Sequence, residues 1–251
     1  MNDTRRAGGP APLEVRIARK AYRAASGGRL DVLDDVTLAL PAGKVGPLIG
    51  PSGCGKTTML RIIAGLDRDY DGTVRRPAGR LAMVFQEPRL LPWRTVEDNV
   101  RLVAPDIDDA ALTRLFDLLE LAAHRTHFPR ELSLGLARRA ALARAFAVDP
   151  ALLLLDEPFV SLDAALAVRL REELALLIDQ RAVTALLVTH DLAEAARLAD
   201  RVFLLSPRPA RVLAEIPLRP ARRDRSETAL ATMTAQLTGR VAALAPGRTQ
   251  K

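Results

Sequence analysis

The segment GPSGCGKT, residues 50–57, constrains the fold of this chain more than any other feature of its sequence. It follows the apolar run KVGPLIG and precedes TTMLRIIAGL, whose apolar residues recur at helical spacing. Its three glycines let successive backbone N–H groups turn inward, and a helix that begins at Lys56 directs its positive end to the same place. The segment therefore predicts a strand, a phosphate-binding loop and a helix in succession.

The rest of the chain alternates strand-like and helical segments. LAMVFQ, ALLLLDEP, TALLVTH and RVFLLS are apolar runs typical of buried strands in a parallel sheet. LEVRIARKAY and RLDVLDDVTLALPAG are predicted strands at an antiparallel edge. Together these patterns predict an α/β fold with a parallel-sheet core that carries a P-loop. Pro47 lies inside KVGPLIG and argues against a central position for that strand.

Composition changes along the chain predict its organisation. Residues 1–12 are rich in Gly, Pro and Arg and predict a disordered tail. Residues 13–218 predict one sheet domain, with a mostly helical subdomain inserted at about residues 87–150. Residues 219–251 are polar and predict a C-terminal tail with one possible short helix.

Composition also narrows the function classes. The net charge is +7, which is compatible with a nucleic-acid partner, an anionic membrane surface, or arginines spread over solvated faces. The lone cysteine, Cys54, excludes an internal disulfide and favours a reducing compartment. The first residues lack the apolar core of a secretion signal, and no apolar run reaches about 18 residues. We therefore expect neither export nor a membrane-spanning segment.

The residue types in the loop have distinct chemical uses at a bound phosphate. Lys56 supplies a mobile positive charge near the β and γ phosphates, the Thr57 hydroxyl can bind Mg²⁺, and Thr58 can assist at the α phosphate. Cys54 is expected to be a small filler rather than a redox switch. ATP and Mg²⁺ are the expected ligands. The predicted nucleotide-binding residues of this segment are Gly50, Pro51, Ser52, Gly53, Cys54, Gly55, Lys56, Thr57 and Thr58.

Polar side chains end three of the other apolar strands, where parallel sheets bind their ligands. Asp156 can hold Mg²⁺ through water, and Glu157 can take a proton from the attacking water as general base. His190 can donate to the γ phosphate and hold that water. Gln86 can contact both Mg²⁺ and water. These positions predict a catalytic set of Glu157, His190 and Gln86, and a metal set of Thr57, Gln86 and Asp156.

In this order, the segments resemble the motifs of the ATP-binding-cassette (ABC) ATPases. GPSGCGKTT resembles Walker A, LLLLDEP Walker B, VFQEP the Q-loop, SLDA the D-loop and VTHD the H-loop. The resemblance covers about residues 13–210 and implies that the sheet domain is an ABC ATPase domain, with an α/β P-loop NTPase core of the RecA-like type. It adds Asp163 of the D-loop to the nucleotide-binding residues. Tyr22 lies where the family has an aromatic side chain that stacks on adenine, and a packed strand tyrosine is the alternative.

A narrower resemblance concerns importers. FQEPRLLPWRTVEDNV and ALARAFAVDPALLLLDEPFVSLDA are similar to subunits that energise nitrate, sulfonate and taurine uptake. The likeness implies a homodimer docked under integral membrane permease subunits, peripheral to the cytoplasmic face of the inner membrane. A substrate-binding protein would act indirectly, and no nucleic-acid partner is expected. PRLLPW is the expected permease contact, with plain packing of Trp93 as the alternative.

ELSLGLARRAALARAF occupies the place of the family's signature, usually LSGGQ or LSGGM, followed by a basic helix. The resemblance implies that Ser133, Gly135 and the helix dipole meet the γ phosphate bound by the other subunit. Ser133 could instead serve only as an N-cap. The arginines are expected on a solvated face. Leu134 stands where a glycine is usual and brings a side chain to a place of close approach.

Three functions remain open at this point. The first is a transport ATPase for a small anion such as a sulfonate, taurine or nitrate. The second is a soluble ABC-type ATPase that acts on nucleic acid or ribosomes, although such relatives commonly carry two cassettes or long coiled-coil insertions. The third is a nucleotide-binding regulator with weak turnover, favoured only by Leu134. Selectivity lies in other subunits, so these motifs do not encode the substrate.

Overall fold

The structure, a computed structural model, describes residues 11–23, 27–160, 162 and 164–244. The strands are β1 Leu13–Arg23, β2 Arg29–Leu40, β3 Val45–Ile49, β4 Asp71–Arg75, β5 Leu81–Val84, β6 Leu152–Asp156, β7 Thr184–Val188, β8 Arg201–Leu205 and β9 Val212–Pro217. The α-helices are α1 Lys56–Ala64, α2 Val96–Arg101, α3 Asp109–Leu118, α4 Leu134–Ala147, α5 Ala164–Arg181, α6 Leu192–Leu198 and α7 Glu227–Leu244. None of the helices in these ranges combines the length and apolarity needed to cross a bilayer.

The larger sheet has six strands in the order β5-β6-β7-β3-β8-β9. The pairs among the first five strands are parallel, whereas β9 runs antiparallel to β8 at the edge. All five residues of β3, of β6 and of β7 are buried. Strands buried on both faces carry continuous apolar runs, which explains their sequences. The predicted α/β fold with a parallel core is confirmed.

Strand β3 is central in spite of Pro47. The N–H of Val45 points towards Asp200, just before β8. Backbone groups alternate in direction along a strand, so the ring nitrogen of Pro47 faces the same side. The ladder with β8 begins only at Leu48, whereas Pro47 still pairs in register with Leu187 of β7. The missing donor thus falls just outside the β8 ladder, and the strand keeps its central place.

The smaller sheet is antiparallel, in the order β2-β1-β4. Leu13, Val15 and Ile17 of β1 are fully buried at alternate positions and pack in one cluster with the apolar face of α1. Strand β4, DGTVR, was not predicted from the sequence because none of its residues is fully buried and it shows no apolar alternation. This sheet lies against the phosphate-loop helix.

Three α-helices separate β5 from β6. Helix α4 begins at Leu134 and buries small side chains such as Ala140 and Ala143, which allow close packing against α2 and α3. Helix α2 is only six residues long, too short for a periodic signal, and was not predicted. Its start is held by a capping box between Thr95 and Asp98.

The C-terminal region is more ordered than a polar tail with a short helix. Helix α7 has 18 residues and buries Leu230, Met233 and Leu237 in a cluster that includes α6. Before it, the Arg225 guanidinium donates to the backbone carbonyls of Ala196 and Ala199 at 2.7 Å each. This cation at the carboxyl end of α6 complements the helix dipole. Through these bonds and the packing of α7, residues 225–244 cover one side of the sheet domain.

Candidate active site

The sheet topology brings distant segments to one edge. The parallel strands β5, β6, β7 and β3 are neighbours and end at the same side of the sheet. The chain leaves them at Gln86, at Asp156 and Glu157, at His190 and at the loop of residues 50–55, respectively. The cleft at this edge measures about 360 Å³. Its lining includes Tyr22, Ser52, Gly53, Gly55, Lys56, Thr57, Thr58, Gln86, Asp156 and Glu157.

The loop of residues 50–55 has the backbone of a phosphate cradle. Gly53 and Gly55 adopt φ values of 73° and 124°. A Cβ on Gly55 would lie 2.8 Å from a methyl carbon of Leu33. Glycine is therefore required at position 55 both by its positive φ and by the lack of space for a side chain. The ammonium of Lys56 donates to the carbonyls of Gly50 at 2.7 Å and of Pro51 at 2.8 Å, which folds this side chain over the loop.

Cys54 is a packing residue of the loop. Its side chain is buried, and a Cβ placed on Gly50 would lie 3.2 Å from its sulfur. Gly50, Pro51 and His190 do not line the cleft at the sheet edge; they line a neighbouring apolar hollow. A buried thiol in close contact with backbone agrees with a filler role for Cys54.

Asp156 and Thr57 place a carboxylate and a hydroxyl side by side in the site. The Asp156 side chain is buried at the end of β6, and this burial raises the pKa of its carboxyl while a hydrogen bond from Thr57 lowers it. Carboxylate, hydroxyl and the amide oxygen of Gln86 are hard oxygen donors. Mg²⁺ prefers such donors and usually takes one or two carboxylates together with substrate phosphates. The residues present therefore fit a magnesium ion.

Glu157 occupies the centre of the polar edge. It follows Asp156 directly and has φ 50°, an unusual value for a residue with a side chain. Its N–H donates to the carbonyl of Val188 at 3.0 Å, which ties this turn to β7. The Gln86 amide nitrogen lies 3.5 Å from one carboxylate oxygen, and His190 Nδ1 lies 3.7 Å from the other. A carboxylate flanked in this way can accept a proton from a water held by its neighbours.

A polar cluster next to His190 in the sequence was not predicted from the sequence. The Thr189 hydroxyl donates to the buried Glu194 carboxylate at 3.0 Å and accepts from the Asp191 N–H at 3.0 Å. Asp191 then caps α6 by accepting from the Ala193 and Glu194 N–H groups. Burial raises the pKa of Glu194 to about 7. The cluster fixes the turn that carries His190, and VTHDLAE offered only an N-cap aspartate as a signal.

The signature residues do not join this cleft. The hydroxyl of Ser133 accepts from the Leu136 N–H at 3.2 Å and caps α4. Neither Ser133 nor Gly135 lines the cleft, and the Leu134 side chain is 54% exposed. Asp163 lies outside the described residues. The start of α4 is therefore exposed and lies outside the nucleotide cleft of its own chain.

The expectation that the α4 arginines form a solvated face was wrong. Arg144 donates to the carbonyls of Arg89 at 2.8 Å and of Pro88 at 3.1 Å. Burial lowers its pKa. Arg138 reaches the Gln86 carbonyl at 3.5 Å, and Arg139 forms an ion pair with a glutamate of the loop after α3. Arg138 and Arg144 hold residues 86–89 against α4, so the helix links the signature to the Q-loop.

A glycine-rich loop with its lysine, a buried aspartate and a neighbouring glutamate at the carboxyl edge of a RecA-like sheet define a nucleotide-hydrolysing P-loop protein. Residues 33–160 match the ABC transporter family. The chain belongs to this family, and it is an ATP-binding subunit with ATPase chemistry.

Curated relatives carry one recurrent name. The chain is 44% identical over 238 residues to "Aliphatic sulfonates import ATP-binding protein SsuB 2" of Burkholderia cenocepacia, covering 91% of this chain and 86% of the relative. It is 41% identical over 226 residues to a Pseudomonas syringae pv. tomato protein of the same name, with 89% and 95% covered. A third relative of this kind, from Pseudomonas aeruginosa, is 44% identical over 234 residues, with 87% and 92% covered.

Solved structures agree with the fold. The ATP-binding cassette MJ0796, a dimer in a post-hydrolysis state with ADP and Pi, superposes with a TM-score of 0.75 at 28% identity. A second dimeric structure of MJ0796 gives 0.76 at 27% identity. Each match covers 83% of this chain and all of the other.

Proposed function

We propose that this chain is the ATPase subunit of an importer for aliphatic sulfonates. The observation that carries the proposal is the 41–44% identity, along 87–91% of the chain, to relatives named for that import. The polar edge supplies the chemistry that such a subunit needs. The subunit would act at the cytoplasmic face of the membrane, where it would bind a permease that is served by a substrate-binding protein.

In this proposal the chain's own residues divide the reaction among themselves. Lys56 and the N–H groups of the loop hold the β and γ phosphates. Glu157 accepts the proton of the attacking water, which Gln86 and His190 orient. Asp156 and Thr57 would hold Mg²⁺, which neutralises phosphate charge when bound. Because the backbone donors and the helix dipole are preformed, they stabilise developing charge with little rearrangement.

The proposed active form is a homodimer. The start of α4 is exposed and carries Ser133 and Gly135 outside the cleft of its own chain. Its N–H groups and dipole suit an anion. A second copy would bring its phosphate loop to this helix start, so each nucleotide would contact both subunits. The dimeric MJ0796 cassettes support this arrangement.

The proposed permease contact is the loop of residues 88–95. Buried Asn99 shapes it by accepting from the Leu91 N–H at 2.8 Å and donating to the carbonyls of Leu91, Arg94 and Thr95. Trp93 at its tip is 70% exposed. Leu90 instead packs against the main core, so of these apolar side chains Trp93 suits docking best.

The decisive experiment reconstitutes the chain with its permease in liposomes. An alkanesulfonate-loaded binding protein should stimulate ATP hydrolysis and drive uptake of the sulfonate, and Lys56→Ala should abolish both. Nitrate, offered with the same binding protein, tests the substrate class, and taurine, itself an aminoalkanesulfonate, tests the range of sulfonates accepted. ATP hydrolysis without sulfonate uptake would reject the proposed substrate and keep the ATPase. Stimulation by nucleic acid instead of the permease would reject the transport role.

A further inference from the structure

The buried lysine of β1 has an unusual environment. The Lys20 side chain is 1% exposed, and its ammonium lies 2.8 Å from an Asp67 carboxylate oxygen and 2.6 Å from the Asp69 carbonyl. Burial opposes the charge, but the hydrogen bond and attraction from Asp67 leave the pKa of Lys20 above its ordinary value. A fully buried lysine is rare and requires such partners.

Tyr22 shares both of these partners. Its hydroxyl donates to the second Asp67 oxygen at 2.7 Å, and the Lys20 ammonium lies 4.4 Å from the centre of its ring. The ammonium covers one face of the ring, where the π electrons attract a cation. Tyr22 is 37% exposed and lines the cleft, which leaves part of the ring accessible to a planar group. The Tyr22 side chain is therefore held at its hydroxyl and at one face.

Asp67 connects this tyrosine to the phosphate loop. It follows α1, the helix that begins at Lys56, and its backbone N–H donates to the Arg61 carbonyl of that helix. Thr58, in the first turn of α1, lies close enough to the Tyr22 hydroxyl to act on its pKa. Tyr22 and the loop line the same cleft. A displacement of Asp67 would thus change the position of the ring relative to the bound phosphates.

An apolar residue at position 20 would fill the same space, and replacing a buried ion pair by packed apolar groups is often neutral for stability. An apolar side chain cannot orient Asp67 towards the tyrosine hydroxyl or bind the ring face through a charge. The ion pair can therefore act on Tyr22 in a way that an apolar residue at position 20 cannot.

We infer that Lys20 and Asp67 are positioning residues for the nucleobase, which they orient through Tyr22. The inference rests on the proposed function, since it requires that ATP occupies the cleft with its base beside Tyr22. The base would stack on the accessible part of the ring. Lys20 and Asp67 would contribute to the affinity for the base and leave the affinity for the phosphates unchanged.

The test separates the two parts of the ligand. Titration calorimetry gives the Kd of Mg-ATP and of Mg-tripolyphosphate, and the Kd of tripolyphosphate divided by the Kd of ATP reports what the adenosine part, with its base, adds to the affinity. Lys20→Met and Asp67→Asn should each reduce this ratio by about 3- to 30-fold, which lies within the usual range for coupled neighbours. The Kd of tripolyphosphate should not change. Tyr22→Phe, which keeps the ring and removes its bond to Asp67, should reduce the ratio less than Tyr22→Ala.

The double variant Lys20→Met with Tyr22→Ala should lose no more than Tyr22→Ala alone, because Lys20 acts through the ring. Lys44→Met is the matched control, since this lysine pairs with Asp200 at 3.4 Å at the start of β3 and should keep the ratio. If Lys20→Met does not fold, Asp67→Asn and Tyr22→Phe still decide the question.

The inference is overturned if the variants weaken both ligands equally, add their effect to Tyr22→Ala or leave the ratio at its wild-type value. A wild-type ratio near one would reject any base contact at Tyr22 and leave phosphate binding intact. Failure of the wild type to bind either ligand would instead reject the proposed function, and this inference with it.

Discussion

At the residue scale, two adjacent carboxylates have different environments. The Asp156 side chain is buried at the strand end, where burial raises the pKa of its carboxyl. Glu157 turns out of the strand and faces Gln86 and His190. The buried group suits a metal ligand, and the more open one suits proton transfer, because environment assigns roles to paired carboxylates.

Replacing Glu157 by glutamine should separate binding from hydrolysis. The amide keeps the shape but cannot take the proton of water, so turnover should fall by about 10²- to 10⁴-fold. Mg-ATP binding should persist, and an ATP-bound dimer should accumulate in size-exclusion chromatography. Glu172→Gln, at an exposed glutamate of α5, is the matched control and should hydrolyse ATP normally. Normal turnover in Glu157→Gln would show that another group is the base.

At the element scale, the turn from β7 to α6 depends on a buried carboxyl. Glu194 faces the Thr189 hydroxyl and the charges of Arg171, Asp191 and Glu157. The folded-state pKa is about 7, above the ordinary 4.5. Between these two pH values the folded chain keeps a proton that the unfolded chain releases. Folding stability due to this group therefore falls as the pH rises through this window, by on the order of 3 kcal/mol at most.

The variant Glu194→Gln should remove this dependence. Glutamine is neutral at every pH and can still accept from the Thr189 hydroxyl, so the gain in Tm over wild type should be larger at pH 8 than at pH 5. Thermal unfolding followed by circular dichroism at both pH values measures the difference. Glu172→Gln should show no such trend. An equal shift at both pH values would mean that Glu194 titrates in its ordinary range.

The start of α4 sets the second element-scale prediction. Leu134→Gly should raise the ATPase turnover of the dimer or permease complex, because the leucine side chain hinders close approach of a phosphate to the helix N–H groups. One or two regained contacts are worth about 1.5–3 kcal/mol, or roughly ten- to hundred-fold in rate. Steady-state phosphate release measures the change, and ATP affinity of the isolated monomer should stay nearly constant.

Leu134→Ala should fall between leucine and glycine if side-chain size is the cause. Equal turnover in all three would mean that the helix start accommodates leucine. Lower turnover in the glycine variant would mean that the leucine makes a favourable contact across the dimer, and would remove the argument for a weak-turnover regulator.

At the scale of the whole molecule, the catalytic edge and the proposed permease contact are connected through α4. Its arginines hold the backbone of residues 86–89, and its first residue lies at the proposed dimer interface. A shift of this helix would move the Q-loop segment with it. Nucleotide-driven closure of the dimer could reach the permease by this route.

Trp93→Glu should reduce co-purification with the permease while the free subunit keeps its ATP affinity, because the side chain is exposed and lies outside the nucleotide cleft. Leu176→Glu, at an exposed leucine of α5, is the matched control and should co-purify normally. Loss of ATP binding in Trp93→Glu would assign the loop to the core instead of a docking surface.

The sequence by itself determined the phosphate loop, the strand ends that carry Gln86, Glu157 and His190, and the α/β class. These features are local, because glycine spacing, apolar runs and helical periodicity depend only on residues that are close in sequence. They can be identified without knowing which segments pack together. The family resemblance supplied the predicted role of the signature and the predicted importer class. Short or exposed elements, α2 and β4 among them, gave no periodic signal and were missed.

Only the tertiary structure decided which of these residues meet. It placed β7 between β3 and β6, so His190 lies beside Glu157. It buried Lys20 against Asp67, 47 residues away in sequence, and turned the α4 arginines from a solvated face into anchors for the Q-loop. Burial and charge pairing depend on contacts between distant segments, and the free energy of a charge depends on those contacts more than on its own residue type.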